Sequence, residues 1–249
     1  MEHAFNYLQS IFPSVPHEQI NNLIKNPIVT FTPEATLIKI NETNENIYLI
    51  LTGEVKLIGP DLSTTKNLTS GEIAGDISGK EQYPSKETYR AANYVQALQL
   101  PCSLYIDFIK RNELYHDIAE LKEKLEFLQK SWLFGNELSY IVQTRIAKAM
   151  LSLHFQTEEV IPCEDETGLY MVKHGKLQLL FKDGGVEILK AGDSFGECNV
   201  LRETHDLYQV RAVESTEIYR IQRDSVRDIP IIHWKLLEIH EKRLKGTLV

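Results

Sequence analysis

The chain has 249 residues, enough for one large domain or two of modest size. Hydrophobic residues make up 43% and charged residues 25%, values that exclude a disordered or collagen-like chain. Its 27 basic and 35 acidic residues give a net charge of −8, whereas a surface that binds nucleic acid normally carries the opposite charge. Nucleic acid is therefore the less favoured partner, and we expect no DNA partner.

Targeting and cysteine patterns predict a cytoplasmic protein. The longest apolar runs, such as residues 47–51, are much shorter than a membrane span, and the first five residues contain no basic signal-peptide segment. The three cysteines, Cys102, Cys163 and Cys198, are far apart and form no CxxC pair. Because such a set cannot build a disulfide framework, we expect a reducing compartment and no membrane span.

The predicted elements occur twice along the chain in the same order. A helical lead over residues 2–25 precedes about eight short strands and a helix over residues 104–130. The order then repeats, with a helical lead over 133–153, about eight strands and a helix over 224–244. Many short strands between Gly, Asn and Asp turns predict a closed or folded-over antiparallel sheet, because closure removes exposed edges.

Matching segments identify the two halves as copies of one unit. The matching pairs are residues 47–57 with 169–179, and residues 71–76 with 192–197. The first pair shares a tyrosine and a turn glycine, Gly53 or Gly175, and the second shares two glycines. One loop residue accounts for the difference between the two offsets, 122 and 121. We predict two domains, residues 1–130 and 131–249.

The helix predicted over residues 104–130 carries a narrow apolar stripe. Its members are Leu114, Ile118, Leu121, Leu125 and Leu128. Alternating steps of four and three residues are typical of a helix seam, here over two heptads. The stripe either packs on the helix's own sheet or the next domain, or forms the seam of a homodimer or of a contact with another protein. Both alternatives stay open at this point.

The repeat resembles the cyclic-nucleotide-binding domain family, found in catabolite activator proteins and in the regulatory subunits of protein kinase A. In that family a β-roll contains a hairpin glycine, here Gly53 or Gly175, and a phosphate-binding cassette close to Gly-x-x-Phe-Gly-Glu. Residues 192–197 read Gly-Asp-Ser-Phe-Gly-Glu, a close match, and residues 71–76 read Gly-Glu-Ile-Ala-Gly-Asp, a looser one. The resemblance covers nearly the whole chain. It implies a mainly β fold with flanking helices: two tandem double-stranded β-helix (jelly-roll-like) domains.

The resemblance also implies candidate ligand-binding residues in each cassette. Backbone N–H groups and a helix dipole bind the phosphate in the family, and the acidic residue accepts a hydrogen bond from the ribose. In the first half the candidates are Gly75, Asp76, Ile77, Ser78, Ser85 and Lys86. In the second half they are Gly196, Glu197, Cys198 and Asp206.

Neither cassette has the arginine that pairs with the cyclic phosphate in the family. That arginine lies nine residues after the acidic residue, where this chain has Ser85 and Asp206. Losing a charge-assisted bond costs about 1.5–3 kcal/mol, and a carboxylate there adds up to about 4 kcal/mol of repulsion at an effective dielectric near 20. We expect no cAMP or cGMP binding in the second half unless Arg202 or a residue outside the cassette supplies the charge. The first half is less unfavourable for a phosphate, because Ser85 is neutral and Lys86 is adjacent to it.

One arginine near the first cassette, Arg90, begins an Arg-Ala-Ala tripeptide like that of the family. The ungapped repeat places Arg90 over Arg211, inside the strand that follows the cassette. We therefore do not expect Arg90 to bind phosphate. A pocket with an acidic ribose contact and no phosphate partner would suit an uncharged nucleoside better than a nucleotide.

Signatures of other functions are missing from the sequence. After the second predicted sheet only residues 224–249 remain, too few for the helix-turn-helix domain of a catabolite-activator-like protein. The eight histidines form no HxH or HExxH pattern, and GxSxG is absent. We predict a protein that is not an enzyme and has no metal or cofactor.

These patterns favour a non-catalytic regulatory or adaptor protein that acts through protein–protein contacts of its helices. The alternative is a sensor of cAMP, cGMP or a nucleoside, in which ligand binding draws a closing helix onto the roll. In the adaptor the same helices are fixed in one position without a ligand.

Overall fold

The computed structural model describes residues 2–76, 84–135, 137–162, 168–201 and 207–246. The chain forms two compact units. The first unit comprises Met1–Ala119 with Ser139–Thr144, and the second comprises Glu120–Leu138 with Arg145–Val249. The domain limits given above, residues 1–130 and 131–249, stay a prediction.

Helices flank the sheets of both units. Those of the described residues are α1 (Glu2–Ile11), α2 (His17–Ile24), α3 (Cys102–Arg111), α4 (Tyr115–Lys130), α5 (Tyr140–Ala149), α6 (Glu197–Leu201) and α7 (Pro230–Gly246). A 3-10 turn, Arg223–Ser225, precedes α7. Over the described ranges, none of these helices combines the length and the apolar character that a membrane crossing needs.

Each unit contains eight strands among its described residues. In the first unit they are β1 (Ile28–Phe31), β2 (Thr36–Ile38), β3 (Asn46–Thr52), β4 (Val55–Ile58), β5 (Thr64–Leu68), β6 (Ile73–Ala74), β7 (Thr88–Ala91) and β8 (Val95–Pro101). In the second they are β9 (Met150–Phe155), β10 (Val160–Ile161), β11 (Gly168–His174), β12 (Leu177–Phe181), β13 (Val186–Leu189), β14 (Ser194–Phe195), β15 (Tyr208–Ala212) and β16 (Thr216–Gln222).

The two units share one sheet topology. The first unit has two antiparallel sheets, ordered β1-β8-β3-β6 and β2-β7-β4-β5. The second unit repeats both orders with every strand number raised by eight, β9-β16-β11-β14 and β10-β15-β12-β13. The register repeats too, since Tyr48 lies opposite Ala74 and Tyr170 lies opposite Phe195. The predicted fold of two tandem β-rolls with flanking helices is confirmed.

An apolar core in each unit is built from residues of both sheets. In the first unit it is made of Leu37, Ile38, Ile50, Val55, Leu57, Leu68, Ala74, Ala91, Val95 and Ala97. In the second it is made of Ile161, Tyr170, Val172, Leu177, Leu179, Leu189, Phe195, Val210, Ala212 and Ile218. Each cluster contains residues from every strand of its unit except the first, β1 or β9. The core of each roll is therefore formed by that unit's own side chains.

The shared turn glycine is required by geometry. Gly175 has φ +87°, and a Cβ there would lie 2.6 Å from Thr216 Oγ1 and 2.7 Å from the Ser215 carbonyl oxygen. Gly53 has φ +88° and faces the Tyr94 carbonyl oxygen in the same way. Any other residue would meet both an unfavourable φ and a backbone atom.

All four predicted helical segments differ from the structure in part. The lead over 2–25 is two helices, α1 and α2, and the helix over 224–244 begins only at Pro230. The lead predicted over 133–153 is wrong at both ends, because α5 begins only at Tyr140 and Met150–Phe155 forms β9, which pairs with β16. The helix predicted over 104–130 is two helices, α3 and α4, with Glu113 at φ +54° between them. A side-chain-bearing residue in the left-handed region interrupts the helix there.

The apolar stripe of α4 and the residue before it is used inside the chain. Leu114, Ile118, Leu125 and Leu128 are buried, and Leu121 is partly buried. The first alternative, packing within the chain, therefore applies to this stripe. The four buried side chains are covered within the single chain, and a homodimer or partner contact through these helices stays a prediction.

Candidate functional site

The cassette of the second unit is formed by β14, a glycine turn and the short helix α6. Gly196 has φ +78°, and a Cβ there would lie 2.9 Å from both the Gly168 carbonyl oxygen and Tyr170 Cδ2. This close approach places Glu197 and Cys198 at the start of α6, where both are buried. The structure thus brings three predicted residues, Gly196, Glu197 and Cys198, together in the interior.

A guanidinium from the C-terminal helix is bound to the cassette carboxylate. Arg243 of α7 donates from Nη1 to Glu197 Oε2 at 2.6 Å, and the side chains of the two residues are 5% and 0% exposed. Arg243 Nη2 donates to the Ser194 carbonyl oxygen at 2.8 Å, and Nε donates to Glu187 Oε2 at 2.9 Å. Burial by itself lowers the pKa of Arg243, but the carboxylates of Glu197 and Glu187 raise it above its ordinary value. The guanidinium is therefore a permanent cation at this site.

Tyr208 of β15 completes the network around Glu197. Its hydroxyl donates to Glu197 Oε2 at 2.8 Å and accepts the Gly196 N–H at 2.9 Å. The Arg243 guanidinium lies 5.6 Å from the centre of the Tyr208 ring, a cation–π distance. Burial and the nearby Glu197 raise the pKa of Tyr208 well above its usual value, so the hydroxyl keeps its proton. Side chains of the protein itself thus bind the Glu197 carboxylate and the Gly196 N–H. The family resemblance implies that a ligand would bind these same two groups.

Removing the Tyr208 hydroxyl is expected to destabilise the second unit. In Tyr208→Phe the buried Gly196 N–H loses its acceptor and Glu197 loses one donor, which we expect to lower the free energy of unfolding by about 1–3 kcal/mol. Urea unfolding followed by circular dichroism measures the change. The control is Tyr94→Phe, at a tyrosine that is 70% exposed, which should stay within about 0.5 kcal/mol of wild type. Equal effects of the two variants would contradict the role given to Tyr208.

The cassette of the first unit uses tyrosines in a similar way. Asp76 is buried, and the Tyr105 hydroxyl of α3 donates to its Oδ1 at 2.8 Å. The Gly75 N–H donates to the hydroxyl of Tyr89 in β7, while burial and the neighbouring Glu87 raise the pKa of Tyr89 to about 12. In both units, therefore, a tyrosine hydroxyl accepts the cassette glycine N–H.

The two remaining described candidates of the first unit do not add a buried cation. Ser85 is buried, and its hydroxyl donates to the Glu87 carbonyl oxygen at 2.7 Å, inside its own turn. Lys86 is exposed. The candidates Ile77, Ser78 and Asp206, and also Arg202, lie outside the described residues.

The two aligned strand arginines form equivalent ion pairs with glutamates. Arg90 Nη1 lies 3.7 Å from Glu34 Oε2, and Arg211 Nη1 lies 3.3 Å from Glu158 Oε2. Both glutamates have positive φ, +68° and +67°, so the two units also match in the turns that contain these glutamates. These pairs agree with the expectation that Arg90 is a strand residue and not a phosphate ligand.

Sequence reasoning missed the residues that approach the cassette from elsewhere. Arg243 lies 46 residues after Glu197, and Tyr208 lies 11 residues after it. His240 of α7 also approaches, with Nδ1 at 3.6 Å from Cys198 Sγ. Arg243 is one of several basic residues near the end of α7, together with Lys242 and Lys245, so the sequence of α7 does not distinguish it from them. No signal in one sequence could have identified these residues without the fold.

Comparison with known proteins identifies the family. The profile described as "Cyclic nucleotide-binding domain" matches residues 28–112 and 152–230. The chain therefore belongs to the cyclic nucleotide-binding domain family, as the repeat predicted. The two matched segments lie one in each unit and contain both cassettes.

Solved structures share this fold over nearly the whole chain, and a curated relative matches its sequence. The structure of "cAMP bound PfPKA-R (141-441)" aligns with TM-score 0.60 and 16% identity, covering 98% of this chain and 89% of that one. The regulatory subunit of a cAMP-independent protein kinase A from Trypanosoma cruzi, bound to guanosine, aligns with TM-score 0.53 and 18% identity, covering 98% and 92%. Lysophospholipase NTE1 of Kluyveromyces lactis is 27% identical over 251 residues, a match that covers 94% of this chain but only 16% of that protein.

Proposed function

We propose that this chain is a non-catalytic regulatory module whose C-terminal helix is bound to the second cassette without a nucleotide. One observation carries the proposal: the buried Arg243–Glu197 ion pair, 2.6 Å long, which joins α7 to α6. In a sensor of this family a ligand would occupy Glu197 and bring the closing helix onto the roll. Here Arg243 of the helix itself occupies that carboxylate, so the helix needs no ligand to reach this position.

The energetics of the pair oppose ligand entry. A ribose could bind Glu197 only after Arg243 and Tyr208 had moved away from Oε2. Breaking a buried ion pair costs about 3–5 kcal/mol, which corresponds to a loss of roughly 100-fold to several-thousand-fold in affinity. A ligand with a micromolar Kd would then bind with a Kd of about 0.1 mM to several millimolar.

The first unit supports the same function. Its cassette acid, Asp76, accepts the Tyr105 hydroxyl, its Gly75 N–H is bound to Tyr89, and Ser85 stands where the family has arginine. Protein–protein contacts are then the output of both units, and the similarity in fold to protein kinase A regulatory subunits supports a regulatory role. The cysteine pattern supports a cytoplasmic location.

Catalysis is not part of the proposed function. The Cys198 and His240 side chains form a thiol–imidazole contact, but both residues are buried, so a substrate has no access to them. The lysophospholipase named among the relatives is about six times as long as this chain, which covers 16% of it. Its activity is therefore not assigned to these two units.

A ligand sensor is the second candidate, and one observation favours it. Arg243 places a guanidinium at the cassette from outside the position where the family has its arginine. A phosphate that paired with Arg243 while its ribose bound Glu197 would replace the ion pair and shift α7. A nucleoside, such as the guanosine bound by the T. cruzi relative, would act on Glu197 alone.

A thermal-shift measurement with cAMP, cGMP and guanosine separates the two candidates. A ligand at about 100 times its Kd adds about 2.7 kcal/mol of stability, which raises Tm by roughly 5–10 °C for a chain of this size. With each of the three ligands at about 100 times a micromolar Kd, we expect Tm to change by no more than about 1 °C. A reproducible rise in Tm of several degrees with one of the three ligands would contradict the adaptor function and support the sensor function.

A further inference from the structure

Three metal-ligating side chains come together where α7 meets the cassette of the second unit. A Glu197 carboxylate oxygen, Cys198 Sγ and a His240 ring nitrogen all lie within 4.8 Å of one another. The three residues are 0%, 5% and 7% exposed. Glu197 and Cys198 are consecutive in α6, while His240 comes from α7, 42 residues further along the chain. The sequence pattern of the histidines gave no metal signature, because the cluster exists only in the folded chain.

The cluster has the donor set and spacing of a zinc site. Zn²⁺ binds thiolate, imidazole and carboxylate, with Zn–S near 2.3 Å and Zn–N near 2.0–2.1 Å in a tetrahedral arrangement. Two such donors at a tetrahedral angle lie about 3.5 Å apart. The observed separation of Cys198 Sγ and His240 Nδ1 is 3.6 Å. The sulfur and nitrogen are therefore already spaced for one cation, and the carboxylate oxygen lies within 4.8 Å of both.

The carboxylate has an oxygen available for a cation. Glu197 Oε2 is bound by Arg243 and Tyr208, whereas Glu197 Oε1 is buried with no hydrogen-bond partner among the described residues. A buried carboxylate oxygen without a donor is unfavourable, and a metal ion would satisfy it.

The charges of the surrounding groups also favour a divalent cation. Glu197 and Glu187 contribute two negative charges and Arg243 contributes one positive charge, which leaves a net charge of −1. When Zn²⁺ binds, Cys198 releases its thiol proton to solvent as the Zn–S bond forms, and the cluster becomes neutral. Neutrality matters at this site because an excess charge in a buried position is costly.

We propose that Glu197, Cys198 and His240 bind a zinc-type divalent cation that fastens α7 to α6. The cation is a second connection between the same two helices, beside the Arg243–Glu197 pair. It goes beyond the function proposed above and does not depend on whether a nucleotide binds. Three protein ligands leave the fourth tetrahedral position for water or another donor.

Cobalt and zinc titration of the full chain, stripped of metal with a chelator under reducing conditions, tests the proposal. We expect one Co²⁺ per chain and a thiolate-to-cobalt charge-transfer band in the near ultraviolet, which Zn²⁺ abolishes by displacement. We also expect Zn²⁺ to raise the Tm of the wild-type chain. Absence of the band and of stoichiometric zinc in the wild-type chain would overturn the site.

Two variants and a matched control identify the ligands. Cys198→Ser and His240→Gln should lose the band and the zinc-dependent rise in Tm, with circular dichroism showing that each variant is folded. Cys102→Ser removes the other buried thiol of the described residues, which lies in the first unit, and should keep both. A band that persists in folded Cys198→Ser would assign the metal to other residues and contradict the proposal.

Discussion

Replacing Arg243 with methionine is expected to lower the free energy of unfolding of the second unit by about 3–5 kcal/mol. The substitution keeps much of the side-chain volume but leaves the buried Glu197 carboxylate without its cation. It also removes the hydrogen bonds to Glu187 and Ser194. Both tryptophans, Trp132 and Trp234, belong to the second unit, so urea unfolding followed by tryptophan fluorescence reports on that unit.

A double-mutant cycle separates the ion pair from the loss of packing. The double variant Glu197→Gln with Arg243→Met removes both charges, and we expect it to be more stable than Arg243→Met alone. The matched control is Arg227→Met, whose arginine pairs with Asp224 and Asp228 at the surface and should cost less than about 1 kcal/mol. If Arg243→Met and Arg227→Met had the same small effect, the buried pair would not be what fastens α7.

Substituting alanine for the cassette glycine is the second change with a large expected effect. Gly196 and Gly192 both have positive φ, +78° and +94°, so alanine at either position costs about 1–2 kcal/mol in backbone strain. At Gly196 the new Cβ would also meet the Gly168 carbonyl oxygen at 2.9 Å, a backbone atom that cannot rotate away. We expect Gly196→Ala to cost about 2–5 kcal/mol in total.

Gly192→Ala is the matched control for that experiment. No atom of the described part of the chain lies within 4 Å of the place its Cβ would take, apart from its own chain neighbours. Its cost should therefore be the strain alone, about 1–2 kcal/mol. Tryptophan fluorescence in urea measures both variants. Equal destabilisation by the two would mean that the close approach at Gly196 does not contribute, contrary to the account of the cassette.

Most of the fold could be predicted from the sequence because the repeat carries residues whose geometry is demanding. Gly53 and Gly175 occur at the same turn with nearly the same φ, and few other residues tolerate that turn. The boundary errors arose where tertiary pairing decides the local structure. Met150–Phe155 follows a helix directly and becomes a strand because β16 offers it a partner.

The candidate site could be predicted only in part. The family resemblance located Gly196, Glu197 and Cys198, because the cassette is a contiguous motif. Arg243 and His240 belong to a helix whose rotation on the roll depends on packing, so spacing along the sequence cannot align them with the cassette. The sequence showed that neither cassette has the arginine expected from the family, but it did not show that Arg243 binds the cassette carboxylate of Glu197.

Hydrogen exchange of the α7 backbone amides, with and without ligand, tests the central claim most directly. We expect the amides of α7 that follow Pro230 to be protected in the ligand-free chain. They should show the same protection with cAMP, cGMP or guanosine at about 100 times a micromolar Kd. The same amides should exchange faster in Arg243→Met. Fast exchange of α7 in the ligand-free wild-type chain, with protection appearing only when one of these ligands is added, would contradict the account.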